Sequence, residues 1–509
     1  MQYEQQERAI KGLTNFLHTP LEILLNDNLQ ADTSQKAIDL FHYVANSVPA
    51  YKNFLETHNI NPSEINNFSD FQKLPLLNKD NYLRRYPLPQ LCHQGKLEQC
   101  DMIAASSGST GKPTFWGRFY TDELEIATRF EQIFHDSFHA DTKSTLAVVC
   151  FSLGTWVGGM YTASCCRHLA AKGYPISVIT PGNNKTEILR VVEELGNNFE
   201  QVVLLGYPPF LKDVIDTGIA SGMEWRQYRI KLIMAGEVFS EEWRNLVCQR
   251  IDAENPYFDS ASLYGTADAG VLGNETPLSI CIRRFLANNP QAAKALFGES
   301  RLPTLVQYDP ISRFFEVEDK TLLFSGDNGI PLIRYNILDH GGIITYDQML
   351  QFLKQYDFDA IAQVQVQNPI AESGEKQRGI YPFPFAYIFG RSNFTISYFG
   401  ANIYPENVTI GLEQPEIQAW VTGKFVMQVR EDGDKNRFLF IAVELAPGIE
   451  DNQQKTAAVT SAILTQLKRL NSEFTNYVPP EYQTPQLQLF PTGNSEYFPI
   501  GVKHRYTRS

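Results

Sequence analysis

Nine consecutive residues, Ser106-Ser107-Gly108-Ser109-Thr110-Gly111-Lys112-Pro113-Thr114, concentrate the chemistry available to this chain. Glycine lets a backbone approach an anion closely, and exposed N–H groups beside a lysine supply positive charge. Ser106, Ser107, Gly108, Ser109, Thr110 and Gly111 therefore read as a cradle for phosphate, with Lys112 as its cation. The cradle is not a Walker A loop. That loop needs a longer spacer before Gly-Lys and a hydroxyl residue after it. Here only Ser109 and Thr110 intervene, and Pro113 follows the lysine, so a kinase-type or GTPase-type site is not expected.

Other candidate groups stand just beyond strand-like runs, where α/β sheets bind ligands. Tyr264-Gly265-Thr266-Ala267-Asp268 is one. Its Asp268 suits Mg²⁺, a hard cation that prefers oxygen and accompanies phosphates. The plain alternative is an ordinary turn. Met234-Ala235-Gly236-Glu237 ends another apolar run before a helix that Ser240 can cap. Gly236 there permits a flat ring to lie close to the backbone. Asp339 closes Arg334-Tyr335-Asn336-Ile337-Leu338-Asp339, and a carboxylate so placed accepts from both hydroxyls of a ribose. His340 beside it is as easily structural as functional. Lys503, in Pro499-Ile500-Gly501-Val502-Lys503-His504-Arg505, would ordinarily be a solvated charge.

Taken in order, these segments resemble the adenylate-forming superfamily, which includes acyl-CoA synthetases and the adenylation domains of peptide synthetases. SSGSTGKPT is similar to its phosphate loop, which holds the β- and γ-phosphates of ATP while a carboxylate attacks the α-phosphorus. The resemblance implies that Gly236 and Glu237 line the adenine pocket and that Tyr264, with Gly265 and Thr266, packs on adenine. It implies Mg²⁺ on Asp268, where Glu is usual, and ribose on Asp339, where Leu338 replaces a glycine. Ala267 replaces a hydroxyl residue, whose phosphate contact Thr266 next door would have to supply.

Phe389-Gly390-Arg391-Ser392-Asn393 followed by Gly400-Ala401-Asn402-Ile403-Tyr404-Pro405-Glu406 is similar to the inter-lobe hinge, especially that of phenylacetate-CoA ligases. Arg391 is then the nucleotide contact and Asn393 the hinge, in place of the usual Asp. Phe399 stands where Lys or Arg is common. Lys503 corresponds to the lysine that bridges the carboxylate and the α-phosphate, so Lys503 and Lys112 are the catalytic candidates. Tyr207-Pro208-Pro209-Phe210-Leu211 resembles a turn bordering the acyl pocket. It makes Trp156, Tyr207 and Phe210 pocket candidates, each of which could equally be core packing.

The implied activity uses ATP and Mg²⁺ to convert a small carboxylic acid, aryl or otherwise flat, to an acyl-adenylate. The acyl group then passes to a thiol, that of coenzyme A. Two other readings stay open. One is transfer to an acyl-carrier protein or an amine; the other is a catalytically reduced nucleotide-binding homologue, suggested by the departures at positions 267, 268, 338 and 393.

The bulk of the chain must position these groups. At 509 residues it is expected to divide into more than one core. A formal net charge of −13 argues against nucleic acid as partner. Seven cysteines without CxxC spacing suit a reducing cytoplasm rather than a disulfide or zinc framework. The uncharged run 144–166 reads as a buried strand, a glycine turn and a small-residue helix rather than a membrane span.

Helical periodicity marks 35–48, 122–138, 185–195 and 240–251, and strand-like runs occupy 146–151, 176–180, 202–205 and 230–234. The fold class expected is therefore α/β, with parallel sheet covered on both faces. Runs 313–318, 321–325, 332–335 and 343–346 suggest a small antiparallel β subdomain. Residues 1–389 would form the N-terminal adenylation core, 390–394 the hinge, and 395–509 a smaller mobile α+β lobe. Relatives are often dimers, which leaves a homodimer open, although the sequence itself does not give the oligomeric state.

Overall fold

A computed structural model describes residues 2–106, 114–298, 302–368, 378–391, 395–446, 448–499 and 506–508. Its described residues divide into two compact units. The first runs to Gly390, apart from Tyr207–Val214 and the single residues Ser106 and Thr114, which group with the second, and the second continues from Arg391.

The first unit is built on an eleven-stranded mixed sheet. A small ladder precedes it, β1 (Met102–Ser106) and β2 (Thr114–Arg118), which flank the Ser/Gly segment. The parallel half comprises β3 (Thr145–Val149), β4 (Ile176–Ile179), β5 (Gln201–Gly206), β6 (Ile230–Ala235) and β7 (Ser260–Thr266). Every residue of β3 and of β5 is buried, as expected of strands with helices on both faces.

The strands expected as an antiparallel subdomain are antiparallel, and they continue this same sheet. β8 (Gly270–Asn274) and β9 (Thr304–Gln307) lead from β7 to β13 (Phe385–Arg391), and then come β12 (Leu332–Ile344), β11 (Thr321–Gly326) and β10 (Phe314–Glu318). The two short runs expected at 332–335 and 343–346 are one thirteen-residue strand, β12. Two left-handed residues within it, Arg334 at φ 47° and Leu338 at φ 63°, interrupt the alternation and hide its continuity in sequence.

Helices follow their local signals. Asp32 caps Thr33–Ser47 by accepting from Ser34 N and Gln35 N, and Ser240 caps Glu241–Arg250 by accepting from Trp243 N. Pro49 does more than end the first of these: it opens the next helix, Pro49–Thr57, where a missing N–H costs nothing. Tyr120–Gln132 continues into a π-helical turn, Ile133–Ser137. The run 144–166 is strand β3 followed by helix Val157–Lys172, and among the described residues no helix is long and apolar enough to cross a membrane.

The second unit has its own sheet, β16 (Val421–Glu431), β17 (Arg437–Leu445) and β18 (Gln486–Phe490), packed by helix Gln453–Leu470. A two-stranded ladder, β14 (Ile396–Tyr398) and β15 (Ala401–Ile403), precedes it. Phe399 lies in the tight turn between those strands, left-handed at φ 51° and 1% exposed, with its ring 4.9 Å from that of Tyr482. That aromatic packing holds a bulky side chain in a conformation glycine would adopt without strain.

Candidate active site

The C-terminal ends of the parallel strands, together with β12, gather two carboxylates and two tyrosines. Tyr264 OH donates to Asp339 Oδ2 at 2.6 Å, and Tyr335 OH donates to Asp268 Oδ2 at 2.7 Å. Both carboxylates are nearly covered, Asp268 at 3% and Asp339 at 5% exposure. The hairpin of β7 and β8 makes the local geometry. A side chain at Gly265 would lie 2.7 Å from the Gly270 carbonyl, so only glycine fits. Thr266 Oγ1 accepts from Ala269 N at 3.2 Å, which closes the turn and leaves the hydroxyl proton free to donate elsewhere. Beside this hairpin, β6 pairs with β7 through Ala235 and Leu263, which brings Gly236, left-handed at φ 87°, next to Tyr264. Glu237 follows, buried at 7% exposure.

Two basic groups that the motifs did not single out complete the cluster. Lys79 Nζ lies 3.2 Å from Asp268 Oδ1. It is carried by a segment that joins the edge of β12, with Leu77 N donating to the Arg334 carbonyl and Asn336 N donating to Leu77 O. Arg334 anchors the same segment by donating to the carbonyls of Gln72 and Leu74 while pairing with Glu316 at 3.0 Å. Arg118, 1% exposed, donates to the carbonyls of Ala267 at 2.5 Å and Asp268 at 3.1 Å. Its Nε and Nη1 have no hydrogen-bond partner. Trp116 lies between these cations, its ring centre 6.0 Å from Lys79 and 5.8 Å from Arg118. Lys79 carries no local signal, because a lysine at a helix start reads as solvated. Arg118 carried one: a charge in a strand beside Phe115, Trp116 and Phe119.

Asp122 supports β2 from the next helix. Its Oδ2 accepts from Phe119 N and Gly329 N, both at 2.9 Å, and burial pushes its carboxyl up to about 6. A buried ionic cluster flanks Gly236 and Glu237. Arg244 pairs with Glu275 at 2.6 Å and Glu241 at 3.0 Å, and Arg283 holds Glu241 and the Phe239 carbonyl. Burial alone would push Glu241 up, but the guanidinium groups of Arg244, Arg283 and Arg284 outweigh it and hold the carboxyl below its ordinary range.

The other expected site residues are placed as follows. Trp156, 8% exposed, precedes helix Val157–Lys172 and bridges Ala105 of β1. Tyr207 and Phe210, at 8% and 1% exposure, belong to the second unit, where the Tyr207 ring packs 5.3 Å from that of Tyr477 and against Gly400. His340 packs on the Phe389 ring at 5.5 Å. Arg391 ends β13. Ser106 ends β1, whereas Ser107, Gly108, Ser109, Thr110, Gly111, Lys112, Asn393 and Lys503 lie outside the described residues. Among the described residues no three metal-ligating side chains cluster.

Leu338 sits where its conformation is costly. A left-handed backbone costs a side-chain-bearing residue about 1–2 kcal/mol. Here the conformation is fixed by the Leu338 N–H donating to Asn336 Oδ1 at 2.8 Å, and the side chain is 44% exposed. Leu338→Gly is therefore expected to raise unfolding free energy by about 0.5–1 kcal/mol, after the added backbone entropy of glycine is subtracted. Urea denaturation measures this; a loss of stability would mean that the exposed leucine side chain contributes more than the strain.

No protein-family model matches this chain. Phenylacetate-coenzyme A ligase of Escherichia coli (strain K12) is 26% identical over 220 residues, 42% of this chain and 48% of that protein. The enzyme of the same name from Aromatoleum evansii is 21% identical over 249 residues, 49% of this chain and 53% of its own length. The chain thus matches about half the length of these curated relatives. A crystal structure of 2-hydroxyisobutyryl-CoA ligase, in complex with 2-HIB-AMP and CoA in the thioesterification state, superposes with a TM-score of 0.63 at 14% identity, covering 97% of this chain and 91% of that one.

The fold is shared with that ligase. Over about half its length the chain is similar in sequence to phenylacetate-coenzyme A ligases, the proteins whose motifs its own segments resemble.

Proposed function

We propose that this protein is an AMP-forming carboxylate ligase, which activates a small organic acid with ATP and transfers the acyl group to coenzyme A. The observation that carries this reading is the paired arrangement of Tyr264 with Asp339 and Tyr335 with Asp268 at the strand ends. Asp339 accepts from the ribose hydroxyls, with Tyr264 fixing its orientation. Gly236 and Tyr264 face the adenine. The Ser/Gly segment and Lys112 hold the β- and γ-phosphates, Arg391 contacts the nucleotide, and Lys503 stabilises charge at the reacting centre.

Asp268 fits Mg²⁺ in one respect that the structure carries. Its Oδ1 already faces an ammonium, and Mg²⁺ needs few protein carboxylates when phosphates and water complete its shell. Bound there, Mg²⁺ would add positive charge beside the triphosphate. Lys79 would then pass from Asp268 to the phosphate oxygens, since two cations do not share one carboxylate oxygen cheaply. Arg118 keeps the Ala267–Asp268 turn in place from below.

The second half-reaction would follow rotation about Asn393. The names of the relatives support coenzyme A as acceptor. Phe399 supplies no charge at a position where a basic residue is common, and this keeps the carrier-protein and amine readings as defined outcomes of a test. Cytoplasmic location completes the proposal; all seven cysteines are free, which suits a reducing compartment.

The test is ATP–pyrophosphate exchange across aryl, arylacetic, short-chain and medium-chain acids, followed by thioester detection with and without coenzyme A. Acid-dependent exchange together with a CoA thioester is the expected result. Exchange without thioester would point to a carrier protein or amine, and ATP binding without exchange to a catalytically reduced homologue. Lys503→Ala is expected to lower exchange by about 10²–10³-fold, as loss of a charge-stabilising donor does elsewhere. Full exchange in that variant would remove Lys503 from the first step.

A further inference from the structure

We propose that Cys92 and Cys100 form a thiol modification site, which closes to an intramolecular disulfide by exchange with a low-molecular-weight disulfide and thereby weakens the active site from behind. The two sulfurs rest on the same glycine. A Cβ built at Gly117 of β2 would lie 2.6 Å from Cys100 Sγ and 3.7 Å from Cys92 Sγ, so the absence of a side chain there is what lets Cys100 pack, with Cys92 at ordinary contact distance from the same point. Cys92 Sγ donates to Leu88 O at 3.5 Å and Cys100 Sγ to Gly329 O at 3.9 Å, and each thiol acts on the other, holding Cys92 below its ordinary range and raising Cys100.

The other cysteines offer nothing similar. Cys150, Cys165, Cys166, Cys248 and Cys281 are buried, and burial pushes each thiol up, which suits inert packing. Cys100 is partly exposed and Cys92 fully buried, so an external disulfide meets Cys100 first.

The exchange runs in two steps. Cys100, the exposed member of the pair, passes its proton to the Cys92 sulfur as its own sulfur attacks one sulfur of RSSR, forming a mixed disulfide and expelling RS⁻, which takes that proton from Cys92. The Cys92 thiolate then attacks Cys100 Sγ, forming the internal bond and expelling the second RS⁻. The two protein protons end on two RSH molecules, and two electrons pass from the pair to the oxidant.

The consequence for the site follows from strand geometry. Successive side chains of a strand point to opposite faces, so the thiols lie on one face of β2 and Trp116 and Arg118 on the other. Arg118 holds the carbonyls of Ala267 and Asp268, and Trp116 lies against Lys79. Little slack exists between the faces: a Cβ at Gly329 would lie 2.5 Å from the Gly117 carbonyl carbon, and Cys100 Sγ reaches the Gly329 carbonyl at 3.9 Å. Drawing the two sulfurs to bonding distance therefore moves β2 rather than a loose loop.

The effect on activity rests on the nucleotide reading given above; the bond itself does not. The experiment is incubation of the full chain with oxidised glutathione, then alkylation, trypsin digestion and mass spectrometry. Trypsin cleaves after Lys96, between the two cysteines, so the bond registers as two linked peptides. The expected result is that linkage, together with a fall in pyrophosphate exchange on the order of tenfold, within what ångström-scale misplacement costs. Dithiothreitol should restore the rate, and Cys92→Ser should neither link nor lose activity on oxidation. If Cys92→Ser misfolds, Cys100→Ser serves the same purpose.

Failure of the peptides to link would overturn the site. Linkage with an unchanged rate, or a loss of rate equally present in both serine variants, would overturn its coupling to the active site. A reduced protein without exchange on any acid would instead count against the proposed function, with the linkage still deciding whether the thiol pair exists.

Discussion

Asp268→Asn is expected to lower pyrophosphate exchange by about 10²–10³-fold, the range seen when one preorganised electrostatic group is removed from a reacting centre. The substitution keeps the volume and an acceptor for the Tyr335 hydroxyl, so the β7–β8 turn should survive. What disappears is the negative charge that faces Lys79 at 3.2 Å. Stability should change little. Lys79 retains 27% side-chain exposure and can be hydrated once its partner is neutral, so the effect falls on chemistry rather than folding. Exchange rates measured over a range of Mg²⁺ concentrations, with a thermal melt alongside, separate the two. A wild-type rate in the variant would remove Asp268 from metal and phosphate binding and leave it as a structural partner of Tyr335.

Glu275→Ala should be the most damaging single change to stability, at about 3–5 kcal/mol, because it strands a buried guanidinium. Glu275 is 1% exposed; it receives Arg244 at 2.6 Å and caps Ser262 N at 2.8 Å. Arg244, also 1% exposed, would keep only Glu241 as a counter-charge, and Glu241 already serves Arg283 and Arg284. An exposed pair makes the contrast. Arg190 and Glu187 have side chains 52% and 38% exposed, so water screens the pair and Glu187→Ala should cost far less than Glu275→Ala. Urea denaturation of the two variants tests the ranking. Equal losses would mean that the Arg244 cluster is hydrated in solution and that its burial does not set its energy.

Several candidate positions are legible in sequence because they sit where short-range rules operate. Gly265 and Gly236 mark a tight hairpin and a left-handed strand exit, and both positions require glycine on steric grounds that act between near neighbours. Ser240 was readable as a cap for the same reason. Lys79 and Tyr335 were not legible as site residues. Each reaches Asp268 only because the segment at Leu77 joins β12 and the Tyr335 hydroxyl of β12 meets the turn after β7. Leu338 was visible as a departure from glycine, but its retained left-handed backbone was not, since a leucine in an apolar run predicts extended strand.

What the sequence determined by itself is the order of the phosphate-binding, metal-binding and ribose-binding candidates, and the identity of most helices and parallel strands. Periodicity, caps and turn glycines act over a few residues, so they are written locally. Tertiary structure alone decided that the antiparallel strands prolong the parallel sheet, and that Tyr264 meets Asp339 across 75 residues. It also decided that Arg118 and Lys79 stand at Asp268, and that two thiols share one glycine behind them. Those meetings depend on strand register and crossover path, which no local pattern encodes.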